Sequence, residues 1–108
     1  MSTIHSLGSG TATATTGAAT LANRFGKVTS EALTTAAGAE YTLTVTNTAM
    51  SAEDIVTASV AYGTATAGSP VVTRVTPADG SVVIIVQNVH ASAALDGTIV
   101  ISFAAFGA

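Results

Sequence analysis

Between Tyr41 and Thr46 the chain alternates without a break: Tyr41, Leu43 and Val45 hold the odd positions, and Thr42, Thr44 and Thr46 the even ones. Successive side chains of a strand point to opposite faces, so this period of two puts the apolar residues on one face and the hydroxyls on the other. The segment reads as a half-buried strand. Its outward half is the unusual one. Charged residues make up 8% of the chain, against about 25% in an ordinary soluble domain. Threonine stands where lysine and glutamate would be expected, and a surface of hydroxyls suits contact with other protein.

The same signature recurs along the chain. The pattern predicts strands over Ala18 to Ala22, within Gly26 to Thr35 with a break near Ser30-Glu31, and over Glu40 to Asn47. Further strands are predicted over Asp54 to Tyr62, Pro70 to Thr76, Ser81 to Val89 and Thr98 to Phe106. In the fourth of these, Val56, Ala58, Val60 and Tyr62 share a face. The run Val82-Val83-Ile84-Ile85-Val86 is continuously apolar, which marks a central strand or one covered by another subunit. Pro77-Ala78-Asp79-Gly80 and Asp96-Gly97 are tight-turn sequences, and Gly63 to Ser69 is a longer hairpin loop. Ser51 to Asp54 reads as one helical turn capped by Ser51. No segment holds an apolar period of 3.6.

The expected fold is all-β: an antiparallel β-sandwich or small β-barrel, jelly-roll-like, with an irregular N-terminal arm. The arm covers 1–17, rich in Ser, Thr, Gly and Ala, and a single β domain covers 18–108. At 108 residues and 10.5 kDa there is room for one modest core. Alanine dominates its apolar content, and a core that thin is commonly supplemented by oligomerisation.

Charge and cysteine narrow the function. A net charge of -3 opposes nucleic-acid binding, which needs a basic surface to displace counterions. No polybasic patch points to anionic lipid, and no apolar run approaches the roughly 20 residues of a membrane helix. Cysteine is absent, which rules out disulfides and thiolate metal sites. Residues 1–10 lack the basic and apolar segments of a secretory signal, so synthesis in the cytoplasm is expected.

Candidate chemistry is sparse. Glu53-Asp54 is the one adjacent carboxylate pair, but neighbours on an extended segment face opposite ways and do not share a proton. His5 and His90 are the only imidazoles, with no patterned third ligand for zinc. No Gly-x-Ser-x-Gly elbow supports a nucleophile activated by His90. Gly8-Ser9-Gly10 lacks the flanking strand and helix of a phosphate loop. Arg24 and Lys27 flank Phe25 in a small basic-aromatic cluster that reads as the cationic side of an inter-subunit salt bridge. The expectation is therefore a non-enzymatic chain with no catalytic residue, cofactor, metal or small-molecule substrate.

A resemblance carries the reading further. The segment from Gly26-Lys27-Val28 to Gly38-Ala39, the strand Tyr41 to Asn47, Gly68-Ser69-Pro70-Val71-Val72-Thr73 and Asn88 to Phe103 resemble small virion proteins of tailed bacteriophages. The resemblance spans roughly Ala18 to Phe103 and its motifs are compositional. It implies a capsid decoration, or cement, protein that binds the major capsid protein on the shell exterior, often as a homotrimer at local three-fold axes. The rival within the same class is a trimeric tail-fibre or receptor-binding domain. Expected interface residues are Ile4, His5 and Leu7 in the arm, with Phe25, Tyr62, Phe103 and Phe106 in the domain. Ser81 to Val89 and Phe103 to Phe106 are expected to build the core or the trimer axis.

Overall fold

The computed structural model describes residues 9–107. They form eight strands: β1 (Ser9–Thr13), β2 (Ala18–Leu21), β3 (Phe25–Thr29), β4 (Glu40–Asn47), β5 (Ile55–Tyr62), β6 (Pro70–Ala78), β7 (Ser81–Asn88) and β8 (Ile99–Phe106). There is no helix among the described residues, so the chain is all-β. The strands make two four-stranded sheets, ordered β1-β3-β8-β5 and β2-β4-β7-β6. No ladder among these strands joins the sheets, which are separate layers and not a closed barrel. One apolar core serves both: Val28, Ile101 and Phe103 enter it from the first sheet, and Leu43, Val45 and Ile84 from the second.

The expectation of purely antiparallel sheets fails at two ladders. β1 runs parallel to β3, and β2 parallel to β4, while the other ladders are antiparallel. The cause is the route of the chain. β1 to β4 fall alternately in the first and second sheets, so strands two apart in sequence become neighbours and run the same way.

The irregular arm expected over 1–17 also needs correction. Ser9–Thr13 is a strand, registered from Ser9↔Phe25 to Thr13↔Thr29. Its small residues, which read as linker, are what the tight edge of the core accepts: Ala12 packs against the core, and Ala14, just past the strand, is buried in it. Residues 1–8, the first half of that arm, lie outside the described residues. Thr16 and Gly17 then turn the chain into the second sheet, both at positive φ (50° and 77°). Reciprocal bonds close the turn, Thr15 N–H to Ala18 O at 2.9 Å and Ala18 N–H to Thr15 O at 3.0 Å. Two consecutive positive φ values make it the mirror-image hairpin turn.

β4 follows its sequence period: every inward residue from Tyr41 to Asn47 is buried and every outward one exposed. β7 is central in its sheet, as its apolar run predicts. Val82, Ile84 and Val86 are fully buried, whereas Val83 and Ile85 are half-buried on the outer face, shaded by β4 and β6. β3 ends at Thr29, at the break predicted near Ser30-Glu31, and the second piece expected up to Thr35 is not a strand. Beyond it Leu33, with Ala65 and Leu95, plugs one end of the core. Ser51 to Asp54 is a single turn, not helix: Asp54 N–H donates to Ser51 O at 3.0 Å, and Ser51 N–H to Asp54 Oδ2 at 2.9 Å.

Two buried asparagines close the ends of the second sheet. Asn47 donates from Nδ2 to Asn23 O at 2.7 Å and accepts Ala49 N–H at Oδ1 at 2.9 Å. Asn88 donates to Thr35 O (3.1 Å) and Ala93 O (2.8 Å), and accepts Ser69 N–H (3.0 Å) and His90 N–H (3.1 Å). Each side chain replaces water for loop backbone that has left the ladder, and a buried amide this well partnered carries little desolvation penalty.

Candidate functional site

The outward faces and free edges of the sheets are the surfaces on which this fold can act. On the first sheet, the outward residues of β3, β5 and β8 include a single ionisable group, Lys27. Three apolar side chains gather at one end of that face. The rings of Phe25 and Phe106 meet edge to face, with centroids 5.8 Å apart and planes at 62°. Ile55 sits directly across the ladder from Phe106. Ile55 is 61% exposed and Phe106 47% exposed, so the cluster presents apolar surface that the monomer leaves in water. The outer face of the second sheet is milder, with Thr42 and Thr44 flanking the half-buried Ile85 and Val83.

The structure brings together two of the expected interface residues, Phe25 and Phe106, and adds Ile55, which sequence reasoning missed. Its signal was present: with Val56, Ala58 and Val60 inward, Ile55 has outward parity. Tyr62 lies at the far end of β5 and is 49% exposed, whereas Val56, Ala58 and Val60, with which it was expected to share a face, are partly buried. Tyr62 ends the strand, and its hydroxyl donates to the carbonyl of Gly68, drawing residues 63–69 toward it. Phe103, expected both at the interface and in the core or trimer axis, belongs to the core. It is 4% exposed, registered opposite Gly26, where an added Cβ would lie 3.0 Å from its ring. Gly26 makes room for that ring inside the core, so Phe103 is unavailable to a partner. Ile4, His5 and Leu7 lie outside the described residues.

The polar groups act as clamps. Arg24, expected in an inter-subunit ion pair, instead holds its own chain. Its Nη1 donates to Ala49 O at 2.8 Å, and Nη2 lies 3.0 Å from Asp54 Oδ1, a charge contact without hydrogen-bond alignment. The Ser51 backbone N–H, and then the Arg24 guanidinium, hold the Asp54 carboxyl below its ordinary range. Asp96 is held low in the same way by the backbone N–H groups of Thr66 (2.7 Å) and Ala67 (3.0 Å), then by the Thr66 hydroxyl (2.9 Å). Burial, then the Glu31 carboxylate accepting its hydroxyl at 2.9 Å, push the Tyr41 phenol well above its usual range.

None of these groups converges with others around a vacant centre. His90 Nδ1 already accepts the backbone N–H groups of Ser92 (3.0 Å) and Ala93 (2.9 Å). Among the described residues no three His, Cys, Asp or Glu side chains lie together as metal ligands would. The concavities are shallow grooves over β-strand backbone, lined by residues such as Thr57, Ser59 and Ser102.

No protein-family model matches this chain, and no curated protein or solved structure does.

Proposed function

We propose that this chain is a capsid decoration protein of the tailed-phage kind. In this reading it binds the major capsid protein on the outside of the shell, between capsomers, and stabilises the head without catalysis. The observation that carries the reading is the outer face of the first sheet: one lysine, hydroxyls, and the exposed Phe25–Ile55–Phe106 cluster. A protein surface that stays in water is normally rich in charge. One that is to be covered does better without it, since uncharged hydroxyl and apolar groups lose little on desolvation whereas unpaired ions lose much. Apolar area contributes about 25 cal/mol per Å² when covered. That is modest per copy, but many copies bridging neighbouring capsomers add through avidity.

The proposal includes the homotrimeric arrangement that the resemblance implies. It also reads strands β3 to β8 as a jelly-roll-like sandwich. The chain crosses between layers at β3→β4, β4→β5, β5→β6 and β7→β8, and pairs β3 with β8 and β4 with β7, the wrapped wiring of that architecture.

Purified particles test the reading. The chain is expected in hundreds of copies per head, measured by gel densitometry against the major shell protein. A handful of copies located at the tail would overturn it in favour of a fibre or receptor-binding role. Ile55→Asp with Phe106→Asp should cut shell occupancy while leaving the strand signal in circular dichroism intact.

A further inference from the structure

We propose that the free edge of β5 pairs with the same edge of a second copy of this chain, antiparallel and centred on Ala58. The inference goes beyond the functional reading and does not rest on it.

The hydrogen-bond alternation shows what that edge presents. Ser30 N–H donates to Ile99 O at 2.8 Å and Ala105 N–H to Arg24 O at 2.8 Å, so the odd-numbered residues of β8 bond to β3. Gly63 N–H donates to Thr98 O at 2.9 Å, which assigns the even-numbered residues of β8 to β5. In an antiparallel ladder bonding alternates along each strand. Ile55, Thr57, Ser59 and Ala61 therefore bond to β8, and the N–H and C=O groups of Val56, Ala58 and Val60 point away from the sheet. No described strand pairs with them.

An exposed row of this kind is a template for another chain, and natural sheets blunt it with proline, charge or a bulge. β6, the last strand of the other sheet on the same flank, is blunted. Asn88 N–H donates to Ala39 O at 3.0 Å and Val89 N–H to Ser69 O at 2.9 Å, which leaves positions 70, 72, 75 and 77 of β6 facing outward. Two of these are Pro70 and Pro77, which have no N–H to offer, and a bulge falls between Val72 and Arg74. β5 has none of these devices. From Ile55 to Tyr62 it contains no proline, glycine or charge, and its ladder to β8 runs without a register shift.

The occupant that fits is the same strand. Val56, Ala58 and Val60 pack against the core but remain partly exposed, because the sheet stops beside them. A second copy brings position 56 opposite 60 across a two-fold axis at Ala58 and covers both. The contact is isologous, and each copy supplies an uncharged surface complementary to its own. The register on Ala58 pairs the greatest number of the outward N–H and C=O groups of positions 56, 58 and 60. Outward positions 57 and 59 then face each other across the axis. This edge differs from the Phe25–Ile55–Phe106 face, so the pair neither requires a three-fold assembly nor prevents one.

Light scattering on the full chain over a range of concentrations tests the inference. The expected particle contains an even number of the 10.5 kDa chains. The double variant Thr57→Lys/Ser59→Lys sets lysine opposite lysine twice and should weaken the pairing roughly tenfold or more. Thr57→Lys/Ser59→Glu sets lysine opposite glutamate twice and should keep it within about threefold of the parent. Both variants alter exposed outward positions, and matching circular dichroism spectra confirm the fold. A parent that stays single or forms an odd-numbered particle such as a lone trimer, a mass the lysine pair does not change, or equal loss in both doubles would overturn the proposal.

Discussion

β5 and β6 end their sheets on the same flank of the molecule and are joined by residues 63–69. They solve the problem of an open edge in opposite ways. β6 places Pro70 and Pro77 where an N–H would otherwise face water, breaks its register with a bulge and carries Arg74. β5 keeps its register throughout, is uncharged and is fully supplied with donors and acceptors. The two strands share a solvent, a length scale and a connecting loop, so local propensity does not explain the difference. An edge left in water needs guards, and an edge without guards is built to be covered.

The largest effect is expected at the connection between the two strands. Asn88 bonds Ser69 at the start of β6 and reaches Thr35, Ala93 and His90 from a fully buried position. Asn88→Ala strands four backbone groups and should cost about 3–4 kcal/mol in urea unfolding. A loss below about 1 kcal/mol would show that the connection is held by something else.

Proline placed at successive positions of β5 gives the next largest effect. Ser59→Pro removes an N–H that bonds β8, while Ala58→Pro removes one that points outward. The first should be less stable than the second by about 1–3 kcal/mol, and only the second should lose self-association with its fold intact. Equal destabilisation would contradict the assignment of the two edges. Removing the guards from β6 is milder: Pro70→Thr/Pro77→Thr should change stability by about 1 kcal/mol or less. It should lower the concentration at which larger assemblies appear in light scattering.

Acid gives the smallest effect. Asp96 anchors the 63–69 connection and Asp54 anchors the Arg24 clamp, and both carboxyls are held below the ordinary value of 3.8. A depressed carboxyl contributes stability above its unfolded pKa and loses it as pH falls through its folded one. The melting temperature should therefore fall modestly between about pH 4 and about pH 2. Asp96→Asn should lower it at neutral pH and flatten that part of the acid dependence. An unchanged acid profile in Asp96→Asn would remove Asp96 from the account.

Much of the fold was legible because period two is set by the backbone itself. β4 obeys its alternation residue by residue, and the apolar run Val82–Val86 announces a central strand. Pairing was not legible, because it depends on which strands the chain brings together, and the parallel ladders follow from its alternation between layers. β1 was hidden by composition: Gly10 and Ala12, with Ala14 just beyond, look like linker until the tight packing at that edge is known. Phe103 was expected both at the interface and in the core or trimer axis; its parity with Ile99 and Ile101 marks the core, and only the space left by Gly26 was illegible. Asn47 and Asn88 did leave a trace. Each continues an inward apolar series, Leu43-Val45-Asn47 and Ile84-Val86-Asn88 with the outward residues skipped, and a polar residue at such a position signals a clamp.

Amide hydrogen exchange resolved to single residues tests the contrast between the two edges most directly. In the full chain slow exchange is expected at Val56, Ala58 and Val60, becoming slower as concentration rises, and fast exchange at Val72 and Val75. Fast exchange at all five amides at every concentration would contradict that contrast.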